Sequence, residues 1–261
     1  MKYINYPLIA IVGQSGTGKS YSIKDLPPEK TKILNIERKP FPFKHGFNYG
    51  PNDIQCADIP AFDAALDRAL KDTTVDYIVI ESMTKYFEML LTFSKGMNKG
   101  YEIYTFYNDR IGMFLERIKN NQNKLVFCVA IDEVVKVLQP SGAEQAFKRI
   151  KVEGKKWEGV IEKEYAIVLY TEVKAEKGKA NDYRLLINTD GVCSAKSPPE
   201  MFGPSTIVSI PNNLKSIGDS VLSYYGLKTL STLQKEETES NAAAVAKASV
   251  LLPLPQLNKH I

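Results

Sequence analysis

Near its amino end the chain reads Gly13-Gln14-Ser15-Gly16-Thr17-Gly18-Lys19-Ser20, which is the pattern G-x-x-x-x-G-K-S. This spacing is typical of a phosphate-binding loop (P-loop), because the glycines let the backbone wrap around phosphate groups with its N–H groups pointing inward. In this pattern Lys19 provides a positive charge for the β- and γ-phosphates, and Ser20 provides a hydroxyl for Mg²⁺. The sequence therefore predicts a site for a nucleoside triphosphate and Mg²⁺.

The residues on both sides of the loop fit this prediction. Before it, residues 8–12 form a short apolar run that is typical of a buried parallel strand. After it, residues 21–26 are expected to be helical until Pro27 and Pro28 end the helix. The nucleotide is expected to be ATP, since the sequence has no Asn/Thr-Lys-x-Asp motif for reading guanine.

Strands alternate with helices in the first half of the chain. Three further strands are predicted at 32–37, 76–81 and 124–131, and helices at 59–70 and roughly 83–120, the latter interrupted near 94–100. This alternation predicts an α/β fold with a mainly parallel sheet flanked by helices.

The second half of the chain changes character. Residues 165–173 and 183–189 are separated by a polar segment and predict a β-hairpin that extends the sheet, followed by one short helix within 211–226. We expect one domain over residues 1–227. From residue 228 the composition is polar and poor in aromatic residues, which predicts a flexible tail over 228–261 with a short helix at 242–250 and an apolar, proline-containing end at 251–255.

The overall composition excludes several classes of protein. The chain has 261 residues, of which 44% are hydrophobic, enough for one sizeable core. No apolar run approaches the 18 residues or so that a membrane span requires, and the first strand begins too early to leave room for a signal peptide. Three scattered cysteines form no metal-binding pattern, so a reduced, cytoplasmic setting is expected. The net charge of +4 permits nucleic-acid binding without arguing for it.

Acidic residues follow two of the predicted strands. Glu81 ends the third strand, at the place of the Walker B carboxylate that contacts Mg²⁺, although most P-loop proteins have aspartate there. Glu37 ends the second strand. The alternative interpretation is that Glu81 only marks the end of its strand and that Glu37 is a solvent-exposed acid beside Arg38 and Lys39.

The pairing of residues 33–37 with residues 75–82 resembles the RecA-like ATPases, which carry a catalytic glutamate after the second strand and an acid-serine pair after the third. This resemblance implies that Glu37 polarises the attacking water and that Glu81 and Ser82 form the Walker B end. Further segments look like phage-encoded RecA-core ATPases, a group that includes AAA-type nucleotide-binding proteins and short proteins that anneal or bind single-stranded DNA in recombination. These segments are 39–43, 154–157, 195–198 and 211–214, and the resemblance covers roughly residues 5 to 226.

The resemblance also implies roles for three further residues. Asp132, after the fourth strand, stands where a polar γ-phosphate sensor is common, with a helix or loop cap as the alternative. Lys196 or Arg184 would act across a subunit boundary on the γ-phosphate of a neighbour, which implies a homo-oligomer, either a ring or a filament. An ordinary surface lysine is the alternative for Lys196.

A basic cluster lies between the fourth strand and the hairpin, in the region that the resemblance turns towards DNA. Lysine contacts to phosphates combined with aromatic stacking on bases hold single strands without sequence readout. Acidic residues are interleaved, so a solvated loop with a packed tryptophan is the alternative. The candidate DNA-binding residues are Lys148, Arg149, Lys151, Lys155, Lys156 and Trp157.

Three hypotheses for function follow. The first is an ATP-binding and ATP-hydrolysing RecA-like protein that acts on single-stranded DNA in phage recombination or replication, in the host cytoplasm. The second is a small-molecule or nucleotide kinase, although the sequence lacks an arginine-rich lid and places Arg110 and Arg117 on a helix. The third is a nucleotide-regulated scaffold with little turnover, which glutamate instead of aspartate at position 81 keeps open.

Overall fold

The computed structural model describes residues 6–44, 46, 47, 50–121, 123–138 and 142–250, with only the backbone for 244–250. The expected apolar end at 251–255 and the first five residues lie outside the described residues.

Two β-sheets are present in the described part of the chain. The larger has eight strands in the order β10-β9-β8-β1-β5-β4-β2-β3, and the smaller consists of β6 and β7. The strands are β1 (Leu8–Val12), β2 (Thr31–Asn35), β3 (Asp53–Gln55), β4 (Tyr77–Glu81), β5 (Leu125–Ala130), β6 (Asp132–Leu138), β7 (Glu144–Ile150), β8 (Ile167–Lys174), β9 (Asp182–Leu186) and β10 (Ser209–Pro211). In the large sheet, the neighbouring strands β8, β1, β5, β4, β2 and β3 are parallel. Strands β9 and β10 are antiparallel to their neighbours.

Helices cover both faces of the large sheet. The helices α1 (Ile59–Lys71), α2 (Met83–Met97) and α3 (Glu102–Lys119) pack on one face, and α4 (Leu214–Tyr225) packs on the other. Every residue of β1, β4 and β5 is buried, which explains why these strands are nearly continuous apolar runs. The predicted α/β architecture, with a mainly parallel sheet flanked by helices and a β-hairpin extension, is confirmed.

The parallel strands bring their carboxyl ends to one edge of the sheet. Strand β5 lies between β1 and β4. The register sets Val12 beside Ala130 and Asn35 beside Glu81. Consequently the phosphate-binding loop after β1 and the acidic residues at the ends of β2 and β4 meet at this edge.

The helical segment predicted after the loop is a 3₁₀ helix, Ser20–Asp25. Two other elements differ from the sequence prediction. The hairpin of β6 and β7 was not predicted, because its strands are largely exposed and alternate only weakly between apolar and polar residues. Residues 230–241, where the sequence predicted no helix, belong to the 21-residue helix α5 (Leu230–Val250). The start of α5 is fixed by Ser231, whose amide and hydroxyl donate to the Asp76 carboxylate.

Candidate functional site

The phosphate-binding loop has the backbone that its glycines allow. Gly16 and Gly18 have φ angles of +80° and +91°, in the left-handed region that favours glycine. A Cβ atom on Gly13 would lie 1.7 Å from the Thr171 hydroxyl, so no larger residue fits there. The Gly13 N–H donates to the Ala130 carbonyl at 3.2 Å, which ties the loop to the end of β5.

Two side chains of the loop point into the edge of the sheet. Lys19 is 8% exposed, and its ammonium donates to the Gln14 carbonyl oxygen at 2.7 Å. Burial lowers the pKa of Lys19, although the Glu81 and Asp132 carboxylates act in the opposite direction. The Ser20 hydroxyl donates to Glu81 Oε1 at 2.7 Å.

Glu81 has a buried carboxylate, and only one of its two oxygens has a hydrogen-bond partner among the described residues. Its Oε1 accepts from Ser20, whereas its Oε2 is buried and has no hydrogen-bond partner among the described residues. Burial raises the pKa of Glu81 to about 7, although the Ser20 hydroxyl and the Lys19 ammonium lower it. A hard cation with oxygen ligands is the natural partner for such a group, so Ser20 and Glu81 fit a site for Mg²⁺.

Glu37 lies beside this pair rather than pointing freely into solvent. Its side chain is 23% exposed. It accepts hydrogen bonds from the Ser82 hydroxyl at 3.2 Å and from the Lys39 ammonium at 2.8 Å. Burial alone would raise the pKa of Glu37, but Lys39, Ser82 and the more distant Lys85 outweigh burial and lower it. Glu37 is therefore held in the ionised form.

These side chains line one cleft of about 980 Å³. This volume falls at the upper end of the range of roughly 300–1,000 Å³ that is common for ligand sites. Its lining includes Lys19, Ser20 and the acidic residues, together with Tyr21, Tyr183 and Asn212. The four side chains that the sequence analysis assigned to phosphate, metal and water are thus brought together, namely Lys19, Ser20, Glu37 and Glu81.

Comparison with protein families gives a match to the AAA domain over residues 5–200. The chain belongs to the AAA domain family. Its mainly parallel sheet has β5 between β1, which precedes the phosphate-binding loop, and β4, as in a P-loop NTPase. The family and the cleft together support a nucleotide-binding ATPase.

Solved structures similar to this AAA domain include the flagellar accessory protein FlaH from Methanocaldococcus jannaschii. The identity is 13%, over 70% of this chain and 77% of that chain, with a TM-score of 0.32. A similarity of this size carries no argument about function. No curated protein matches the chain. Among the described residues, no helix is both long enough and apolar enough to cross a membrane.

Asp132 connects the P-loop of the AAA domain to the small sheet. It begins β6, is 4% exposed, and accepts a hydrogen bond from Gln14 Nε2 at 2.6 Å on its Oδ1. The Asp132 backbone carbonyl accepts from the same nitrogen at 2.9 Å. The contact therefore joins the middle of the loop to the base of the β6–β7 hairpin.

The two basic residues considered for action on a neighbouring subunit lie outside the cleft. Lys196 is half-buried and pairs through its backbone with Val168 of β8. Burial lowers the pKa of Lys196, although Glu162 and Glu164 act in the opposite direction. Arg184 donates to the hydroxyl and carbonyl oxygens of Ser209, each at 2.8 Å, so it is already engaged within its own chain.

The residues of the basic cluster differ in their surroundings: some form ion pairs with acidic side chains, and others are exposed to solvent. Arg149 forms ion pairs with Glu133 at 2.6 Å and with Glu158 at 3.5 Å, and Lys151 pairs with Glu88 at 3.7 Å. The remaining lysines are exposed and form no ion pair with the described residues; they are Lys148, Lys155 and Lys156.

The prediction that Trp157 stacks on bases is wrong for this fold. Its side chain is 9% exposed and belongs to the core on the α1–α3 face. The Lys156 ammonium lies 5.6 Å from the centre of the Trp157 ring. Trp157 is therefore the packed anchor of the alternative interpretation.

Two residues of the cleft were not assigned by sequence reasoning. Asn212 Nδ2 donates to the Gly18 carbonyl at 2.8 Å, and Tyr183 of β9 lies against the same glycine. Asn212 lies in the segment 211–214, which the sequence analysis named only for its resemblance to phage-encoded RecA-core ATPases. No local motif indicates either contact, because each joins the loop to a strand far along the chain.

Proposed function

We propose that the chain is a Mg²⁺-dependent ATPase of the RecA-like kind. The observation that carries this proposal is the meeting of Lys19, Ser20, Glu81 and Glu37 in one cleft at the carboxyl edge of the sheet. The AAA domain family match supports the same conclusion.

Each of these residues has a distinct part in hydrolysis. Lys19 and the N–H groups of the loop bind the β- and γ-phosphates. Ser20 and Glu81 would hold Mg²⁺, which neutralises charge on the phosphate oxygens when it is bound. Glu37 accepts a hydrogen bond from the attacking water and aligns it with the γ-phosphorus. Lys39 and Ser82 keep the Glu37 carboxylate ionised and oriented for that task.

The kinase and scaffold hypotheses receive less support from the cleft. No arginine is found among the described residues that line it, whereas kinases of small molecules close arginines over the phosphates. An oriented, ionised Glu37 next to the metal-binding pair favours water as the acceptor and argues against a scaffold without turnover.

Replacing Glu81 with alanine is expected to weaken the Mg²⁺ dependence of hydrolysis. Removing this carboxylate should raise the Mg²⁺ concentration for half-maximal activity by about 10- to 100-fold, the loss typical when a group that supports a metal site is removed. The measurement is the rate of phosphate release as Mg²⁺ is titrated, with Glu116→Ala as a control on an exposed carboxylate of α3. An unchanged Mg²⁺ dependence would exclude Glu81 from the metal site.

Single-stranded DNA is the partner that we propose for the ATPase. Support comes from the exposed cations Lys148, Lys155 and Lys156. Lys148 stands on the β6–β7 hairpin, whose base contacts the P-loop through Asp132 and Gln14. The resemblance to phage RecA-core ATPases implies a role in recombination or replication, for which strand annealing is the biochemical counterpart.

Binding to an oligonucleotide is expected to depend on salt through these three lysines. Each phosphate contact on a single strand contributes about −0.7 to the log–log slope of affinity against salt. Changing all three lysines to alanine should therefore reduce the slope by about 2. A titration of labelled oligonucleotide with ATP present measures this, and the matched control changes the exposed lysines Lys71, Lys95 and Lys99. Equal slopes for both triple variants would remove this surface as the DNA site.

We also propose that the active form is a homo-oligomer, a ring or a filament. Lys196 lies outside the cleft of its own chain, so it reaches a γ-phosphate only across a subunit boundary. Light scattering with ATP and Mg²⁺ should show assembly, and Lys196→Ala should lower turnover without preventing nucleotide binding. A monomer with full ATPase activity would exclude Lys196 from this role.

A further inference from the structure

The cleft has an aromatic wall formed by Tyr21 and Tyr183. Tyr21 directly follows Ser20 in the chain, and Tyr183 stands on β9. Their ring centres are 5.6 Å apart, with an angle of 40° between the ring planes. Both rings are half-buried and line the cleft.

The Tyr183 ring is fixed relative to the P-loop. A Cβ atom on Gly18 would lie 2.6 Å from Tyr183 Cδ1 and 2.9 Å from Asn212 Nδ2, so both side chains press against the loop backbone. Asn212 connects the P-loop to β9. Its side chain donates to the Gly18 carbonyl at 2.8 Å, and its backbone N–H donates to the Tyr183 carbonyl at 3.1 Å. Strands β9 and β10 therefore hold this ring at a set distance from the phosphate site.

The position of the acidic residues sets the direction of the nucleotide. Glu37 and Glu81 mark the γ-phosphate end of the cleft. We expect the nucleoside to leave the loop in the other direction, past Ser20 and towards Tyr21, which follows Ser20 in the chain and contacts the Tyr183 ring.

We propose that Tyr183 stacks on the nucleobase of the bound nucleotide and that Tyr21 completes the stacking wall. This inference rests on the proposed function, because it places the base of the same ATP. It adds a binding role for the hairpin extension, which the nucleotide motifs do not assign.

Two amides near this wall, those of Asn212 and Asn213, have most of their polar atoms bonded within the protein. Asn213 Oδ1 accepts from the Ser216 N–H at 3.0 Å, and its Nδ2 donates to Asp25 at 2.6 Å. Asn212 Nδ2 is bonded to Gly18, and its Oδ1 is buried. Stacking favours large bases with little regard to their edges, so ADP and GDP should bind within about tenfold of each other and UDP more weakly.

The experiment compares ADP with pyrophosphate by calorimetry in the presence of Mg²⁺. Tyr183→Ala should weaken ADP binding by about 5- to 160-fold, the range for loss of one base stack, and should leave pyrophosphate binding within about twofold. Tyr183→Phe, which keeps the ring, should restore most of the ADP affinity. Tyr101→Ala is the matched control, since this tyrosine is 84% exposed and lies outside the cleft.

Two results would overturn the stacking role while leaving the ATPase proposal intact. One is an ADP affinity that Tyr183→Ala leaves unchanged. The other is an equal loss of ADP and pyrophosphate, which would mean that the ring only supports the loop. Wild-type protein that binds neither compound would overturn the proposed function together with this inference.

Discussion

Replacing Lys19 with alanine is expected to abolish productive nucleotide binding and ATP hydrolysis. The Lys19 ammonium is buried at the base of the loop, where it meets the phosphate charge when a nucleotide binds. Truncating one partner of a buried charge pair costs about 2–5 kcal/mol, which corresponds to roughly 30- to 4,000-fold in affinity. Calorimetry with ATP and Mg²⁺, together with phosphate release, measures both effects.

A control for this variant is Lys95→Ala, because Lys95 is exposed on α2 and far along the chain from the loop. Thermal unfolding of both variants separates loss of function from loss of fold. Unchanged ATPase activity in the Lys19→Ala protein would refute the assignment of the P-loop.

Replacing Glu37 with glutamine is expected to preserve binding of ATP and Mg²⁺ but to lower kcat by about 10²-fold or more, the usual effect of losing a general base. Glutamine has the same size and keeps an oxygen that accepts from Ser82. It lacks the negative charge that draws a proton from water. Single-turnover hydrolysis and equilibrium binding of ATP distinguish the two effects.

The matched control is Glu116→Gln, which makes the same substitution at an exposed carboxylate on α3. If Glu37→Gln hydrolyses ATP at the rate of this control, Glu37 is not the water-orienting residue. The resemblance of β2 to the RecA-like ATPases would then mislead about mechanism.

The local parts of the fold and site follow from the sequence. The P-loop spacing and the fully buried runs of β1, β4 and β5 are continuous patterns within single segments. Because parallel strands end at one edge, the proximity of Glu37 and Glu81 also follows once the strands are placed. The partners of Glu37 are Lys39, two positions along the chain, and Ser82, which directly follows Glu81.

The missed features depend on contacts between distant segments. The Asn212 bond to the Gly18 carbonyl spans 194 positions of the chain, so no local pattern indicates it. Trp157 follows two lysines, a pattern that fits DNA contact and core packing equally, and only the fold decides for packing. Residues 230–241 of helix α5 were missed because the apolar residues of this helix form no stripe along one face.

The central claim is that this cleft hydrolyses ATP with the help of Mg²⁺. Its most direct test is the initial rate of phosphate release from ATP by the wild-type protein, with excess Mg²⁺ and with the metal removed by EDTA. We expect release that requires Mg²⁺ and exceeds the rate of the Lys19→Ala protein by at least about tenfold. A wild-type rate equal to that of Lys19→Ala, with and without Mg²⁺, would contradict the account.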